Sequence, residues 1–158
     1  MLKIILGLVV VLSSLFSSDE EVRIEANLFE ANEKEKISIF SGKVRIRKGL
    51  DEINSSVVKI YFDKDNQPEK YEILKDVSFS ITVENDGQYI GKAQKVYLFP
   101  VSQKYIFSDL VEITDMKSGR KIKGNRVSLN MKNGNARISG GSKSPVIMTF
   151  KVKRGDNK

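Results

Sequence analysis

Beyond residue 21 the apolar positions recur at every second residue, the period of a strand that buries one face. Phe40, Val44 and Ile46 alternate with Lys43, Arg45 and Arg47. Ile73, Val77, Phe79, Ile81 and Val83 share one parity, as do Tyr105, Phe107, Val111 and Ile113. Turn clusters break these runs at Lys48-Gly49, 63–68, Asp86-Gly87, 100–103, Ser118-Gly119 and Asn133-Gly134. Asp-Gly and Asn-Gly between alternating runs are strong hairpin signals. No stretch after residue 21 sustains an apolar 3.6 period, and residues 32–36 read equally as a helical turn or a polar loop. The pattern predicts an all-β chain of about nine or ten mostly antiparallel strands joined by short connections.

Two kinds of segment alternate along the chain. In the first, a small residue precedes a bulky one by three positions: Ala26/Phe29, Ser55/Val58, Ala93/Val96 and Gly124/Val127. In the second, apolar residues flank an anchor at two-residue intervals: Phe40-Gly42-Val44-Ile46, Ile73-Lys75-Val77-Phe79 and Phe107-Asp109-Val111-Ile113. Ile138-Gly140-Ser142 is a decayed fourth copy, so the anchors at 42, 75, 109 and 140 repeat roughly every 33 residues. The second kind keeps one parity and suits a flat strand. The first cannot bury both of its residues on one side of a regular strand, which predicts a bulge or corner there. Repeated hairpins with bends predict two sheets folded over one another, as a sandwich or a semi-closed roll.

The N-terminus follows a different pattern. Lys3 precedes an apolar run from Ile4 to Phe16, interrupted only by Gly7, Ser13 and Ser14, and Asp19-Glu20-Glu21 follow. The run falls short of the roughly 20 residues that span a bilayer as a helix. Residues 1–18 therefore read as a secretory signal peptide, with an uncleaved anchor as the rival reading. Residues 19–153 then form one β domain, and 154–158 a basic tail.

Composition narrows the chemistry. The 158 residues carry a formal charge of +7 and contain neither His nor Cys. Disulfides, thiolate nucleophiles and His-based triads are excluded, leaving carboxylates, Lys or a hard cation for any catalysis. Gly140-Gly141-Ser142-Lys143-Ser144 ends like a phosphate-binding loop but has no Gly where that pattern demands one. Asp63-Lys64-Asp65-Asn66 lacks the Gly and final Glu of a calcium loop and reads as a solvated turn. Asp109 occupies a predicted inward slot with no second acid beside it, and Asn54-Ser55-Ser56 fits a glycosylation sequon inside a predicted strand. Basic residues cluster at Lys43, Arg45, Arg47 and Lys48, at Arg120, Lys121, Lys123 and Arg126, and in the tail. No aromatic platform is interleaved with them, so an anionic amphiphile or membrane surface suits them better than nucleic acid. Protection of exposed strand edges is the plainer explanation of the same lysines.

Several short pieces together resemble a known family. They are Ile24-Glu25-Ala26-Asn27, Phe40-Ser41-Gly42-Lys43-Val44, Ile53-Asn54-Ser55-Ser56, Gly91-Lys92-Ala93, Ile122-Lys123-Gly124-Asn125 and Pro145-Val146. In this order and spacing, from Val22 to Val152, they resemble the OstA-like family of periplasmic lipopolysaccharide-transport proteins, the LptA type. Ser55-Ser56 stands where that family usually has Ala-Asp, and Lys75 and Asp109 stand where it usually has Gly. The resemblance implies an open, V-sectioned antiparallel β-jellyroll whose groove shelters lipopolysaccharide acyl chains, without catalysis or cofactor. It also implies the periplasm as location and head-to-tail association with further copies. At the two ends of such a chain it implies an LptC-like jellyroll of the inner membrane and the N-terminal domain of an LptD-like outer-membrane protein. Carried onto this chain, the groove positions are Phe40, Val44, Ile46, Ile73, Val77, Phe79, Phe107, Val111 and Ile113 from the second kind of segment. Val58, Ile60, Val96 and Leu98 from the first kind join them, with Phe79 and Leu98 at positions that line the family's lipid path. The same residues could instead serve only to hold two sheets together. Two other readings remain open at this level: an inner-membrane-anchored LptC-like subunit, and a secreted carbohydrate-active enzyme on a β-sandwich with two carboxylates in one cleft.

Overall fold

The alternating segments form ten strands in a computed structural model that describes residues 21–155 apart from 84–86, 131 and 134. They are β1 (Val22–Glu25), β2 (Leu28–Asn32), β3 (Ile37–Lys48), β4 (Asp51–Phe62) and β5 (Pro68–Val83), then β6 (Gly87–Phe99), β7 (Lys104–Asp115), β8 (Lys121–Asn130), β9 (Asn135–Ser139) and β10 (Ile147–Thr149). The proposed signal peptide lies outside the described residues. Residues 33–36 are a polar turn, in which Asn32 Oδ1 accepts from the backbone N–H groups of Lys34 and Glu35.

All pairings are antiparallel, and they build one sheet in the order β1-β3-β4-β5-β6-β7-β8-β10. β2 also pairs with β3, and β9 with β8. The two sheets expected from the sequence are therefore two halves of a single hydrogen-bonded sheet. Every long strand crosses from one half to the other, so the halves are called leaf I and leaf II. Leaf I holds β2, residues 37–41, 57–62, 68–74, 95–99, 104–108 and 126–130, and β9. Leaf II holds β1, residues 44–48, 51–55, 77–83, 87–93, 111–115 and 121–124, and β10. The edge strands are split at the same line: β1 gives way to β2 at Ala26-Asn27, and β9 to β10 across 140–146.

The crease between the leaves is a row of β-bulges. The register shifts between Ser41 and Val44 on β3, between Leu74 and Val77 on β5, and between Ser108 and Val111 on β7. Each bulge consists of two residues with positive φ: Gly42 and Lys43, Lys75 and Asp76, Asp109 and Leu110. The corner does lie beside Ser55, Ala93 and Gly124, where the offset of three placed it. The extra residue, however, belongs to the neighbouring strands that were read as flat. Between inward positions the first kind takes three steps (Ser55 to Val58) while its partner takes four (Phe40 to Val44). The two strands stay paired only because the longer one bulges. Only Gly adopts positive φ without cost, so Gly42 is at ease whereas Lys75 and Asp109 are strained.

Folding about this crease brings both inner faces into one core, which contains Phe40, Val58, Ile73 and Phe107 from leaf I and Val44, Ile46, Val77 and Phe79 from leaf II. The Phe79 and Phe107 rings meet between the leaves at 5.3 Å.

Candidate functional site

Inward residues lie in rows that cross the strands, set by the cross-strand register. On leaf I, the row beside the crease runs Phe40, Val58, Ile73, Val96, Phe107, Val127. The next row outward runs Ser38, Ile60, Tyr71, Leu98, Tyr105, Leu129. On leaf II the crease row alternates large and small: Val44, Ser55, Val77, Ala93, Val111, Gly124. Beyond it come Ile46, Ile53, Phe79, Gly91, Ile113 and Ile122. Small residues at the crease suit the closest approach of the leaves, where facing aromatic side chains need room. Gly91 shows the same logic, since a Cβ there would collide with the Phe79 ring and with the Glu112 carbonyl.

All thirteen positions expected to line a groove fall on this inner face. Twelve are buried in one cluster, and Ile113 packs against it partly buried. Sequence reasoning missed Tyr71, Ala93 and Val127, which belong to the same cluster. Ala93 and Val127 had been found as members of the repeat, and Tyr71 lies four positions before anchor 75, as Phe40's neighbour Ser38 lies four before anchor 42.

Apart from Ser55 at the crease, the polar groups of the inner face sit towards the rims. Burial alone pushes the Tyr71 and Tyr105 phenols up from their ordinary value, so both stay protonated near neutral pH. Lys48 is buried on the inner side of leaf II, not aligned with Arg45 and Arg47 along one strand edge as the sequence suggested. The run alternates, and the fourth cation of the cluster takes the inward parity. Asp109 is likewise displaced from its predicted inward slot: it stands in the bulge, its side chain 49% exposed, with Lys95 Nζ at 3.7 Å. Its left-handed backbone turns it out of the alternation.

Outer faces carry the charge. On leaf II, Arg45 and Arg47 approach Glu52 at 3.6 and 3.0 Å, while Lys92 and Lys123 both reach Glu112 at 3.2 Å. A hydrogen bond from Asn54, with help from Arg47 and Arg45, holds Glu52 below the usual carboxylate range. Bonds from Lys123 and Lys92 do the same for Glu112. Asn54, the sequon residue, has both ends of its amide engaged: Nδ2 donates to Glu52 at 2.8 Å and Oδ1 accepts from Arg45 at 3.3 Å. Asp63 Oδ1 accepts the backbone N–H groups of Asp65 and Gln67, so this acid caps its own turn. A depression of about 540 Å³ at the crease is lined by Lys43, Arg45, Asn54 and Asp76 among others, and touches the inner rows only through Val44 and Ser55.

The sheet is open, and its end strands expose apolar side chains. Leu28 and Phe29 are exposed on β2, with Phe29 stacked on Phe40 at 4.9 Å. At the opposite end Ile147, Met148, Phe150 and Val152 are exposed on and after β10. Such an arrangement can shelter apolar chains between the leaves and can pair further strands at either end, without bond-making chemistry.

Comparison with known proteins agrees with this geometry. Residues 23–135 match the family model described as LptA/(LptD N-terminal domain) LPS transport protein. The fold is similar to a crystal structure of LptH, the LptA-homologous periplasmic component of the conserved lipopolysaccharide transport device from Pseudomonas aeruginosa. The TM-score is 0.69 at 13% identity, covering 85% of this chain and 97% of that one. No curated protein sequence matches the chain.

Proposed function

The chain belongs to the LptA/LptD N-terminal-domain family of lipopolysaccharide transport proteins, and on that premise we propose that it is a periplasmic bridge component. In this reading it is exported by its N-terminal segment and shelters lipopolysaccharide acyl chains between its two leaves. The observation that carries the reading is the inner face, where the apolar Phe40 row of leaf I and the apolar Phe79 row of leaf II face one another in an open-ended sheet. Each methylene taken from water into such a surface contributes about 0.8 kcal/mol. A lipid with several chains would meet a barrier on the order of tens of kcal/mol if it crossed water unshielded. A passive groove lowers that barrier with packing alone. Side chains of the protein itself occupy the space between the leaves, so cargo enters as the leaves part about the crease.

The split end strands support the assembly side of the proposal. β1 with β2 at one end, and β9 with β10 at the other, leave unpaired backbone edges flanked by exposed apolar residues. Strand addition at both ends is heterologous and continues without closing, which suits a bridge built head to tail. Its terminal partners would be an LptC-like jellyroll and an LptD-like N-terminal domain.

Photo-crosslinking in cells tests the groove. A photoreactive residue at inward Phe79 is expected to capture lipopolysaccharide, and one at outward Arg45 is not. Equal labelling at both positions, or labelling at neither, would sink the proposal.

A further inference from the structure

The leaf I row next to the rim differs from every other inner row. Strands β3, β5 and β7 place a hydroxyl there, on Ser38, Tyr71 and Tyr105, while β4, β6 and β8 place Ile60, Leu98 and Leu129 between them. The three hydroxyls each stand four residues before an anchor, so the repeat itself generates the row. Ser38 is 1% exposed, and its Oγ is the one buried side-chain polar atom among the described residues with no hydrogen-bond partner. Its cross-strand neighbours Ala31 and Ile60 offer no side-chain polar atom. A buried hydroxyl in this state costs stability that Ala would not, which marks Ser38 as a place where a ligand oxygen would be gained.

We propose that this row receives the oxygen-bearing part of an acylated amphiphile, with Ser38 Oγ bonding a hydroxyl or acyl oxygen near the head of the chain. Its position fixes the orientation. Ser38 lies one residue inside the start of β3, towards the rim, while the row behind it (Phe40, Val58, Ile73) is wholly apolar up to the crease. The head of the chain therefore sits at the rim of leaf I and its methyl end points to the crease. The inference rests on the lipid-groove reading above and adds which atoms of the cargo are recognised.

Titration of the full chain with myristate and 3-hydroxymyristate tests it, because the two differ only in that hydroxyl. The intact protein should bind the hydroxylated chain about five-fold more tightly, the worth of one net hydrogen bond. Ser38→Ala should abolish that preference while binding myristate no less well, and should raise the melting temperature of the ligand-free protein. Equal binding of both chains by the intact protein overturns the inference but leaves the groove. So does a preference that survives Ser38→Ala, or a ligand-free Ser38→Ala protein that melts no higher. Binding of neither chain overturns the groove reading, and this one with it.

Discussion

Leaf I and leaf II are made from the same strands, yet they solve different problems. Leaf I carries the bulkier inner rows, with two phenols and Phe40 and Phe107, and its outer side holds Tyr61 between Glu72 and Lys70. Leaf II has Ser, Ala and Gly at alternate crease positions and carries carboxylates bracketed by cations on its outer side. The perturbed ionisable groups divide the same way. In leaf I, Tyr61, Lys70, Tyr71 and Tyr105 are all raised; in leaf II, Glu52, Glu112 and Asp115 are all lowered. One sheet therefore has a leaf in which burial raises the phenols and a leaf in which hydrogen bonds and neighbouring cations lower the carboxylates, joined along a strained crease.

Truncating the contact between the leaves gives the largest test. Phe107→Ala should cost about 3–5 kcal/mol in urea unfolding. A cycle with Phe79→Ala should leave a coupling of about 0.5–1.5 kcal/mol beyond the single losses. Additive losses would mean that the leaves are stabilised independently, and the two-leaf description would lose its link.

A smaller effect tests the crease. Lys75→Gly should stabilise the protein by roughly 0.5–1 kcal/mol, since relief of left-handed strain exceeds the entropy cost of Gly. Gly42→Ala should do the reverse, because its Cβ would also press on Asn27. If Lys75→Gly destabilises, the side-chain contacts around the bulge, such as Asp76 with Gln94, matter more than its backbone.

The subtlest test uses pH, with hydrogen exchange read separately for each leaf. Lowered carboxylates stabilise the fold above their unfolded values and lose that contribution as pH falls through the lowered ones. Asp115, held down first by the Ser118 hydroxyl, and Glu112 thus predict faster exchange in leaf II below about pH 4. Raised phenols and Lys70 act in the opposite sense: their contribution is complete below the unfolded value and is lost as pH rises. Leaf I should therefore loosen first above about pH 10. Simultaneous loosening of both leaves at both extremes would contradict the division.

Much of this was legible before folding. Period-two alternation located the long strands, and the turn clusters at 48–49, 63–68, 100–103 and 118–119 separate them where expected. The inward positions were found because every inward side chain of a strand shares a face with its second neighbour. The bulges were assigned to the wrong strands because parity is blind to them: Phe40 and Val44 keep one parity whether the chain between them is flat or bulged. Lys48 and Asp109 were misplaced for opposite reasons. The first follows alternation that a charge-based reading ignored, and the second escapes alternation through its backbone.

The sequence by itself determined that this chain makes short-connected antiparallel strands, that a unit of roughly 33 residues recurs, and that thiol and imidazole chemistry are absent. Those are local properties, set by residue type and spacing. Tertiary structure decided that the repeats share one sheet, that the sheet folds along a line of bulges, and that Ser38 ends up buried without a partner. These depend on register between strands, and register is fixed only when several strands bury their apolar faces together.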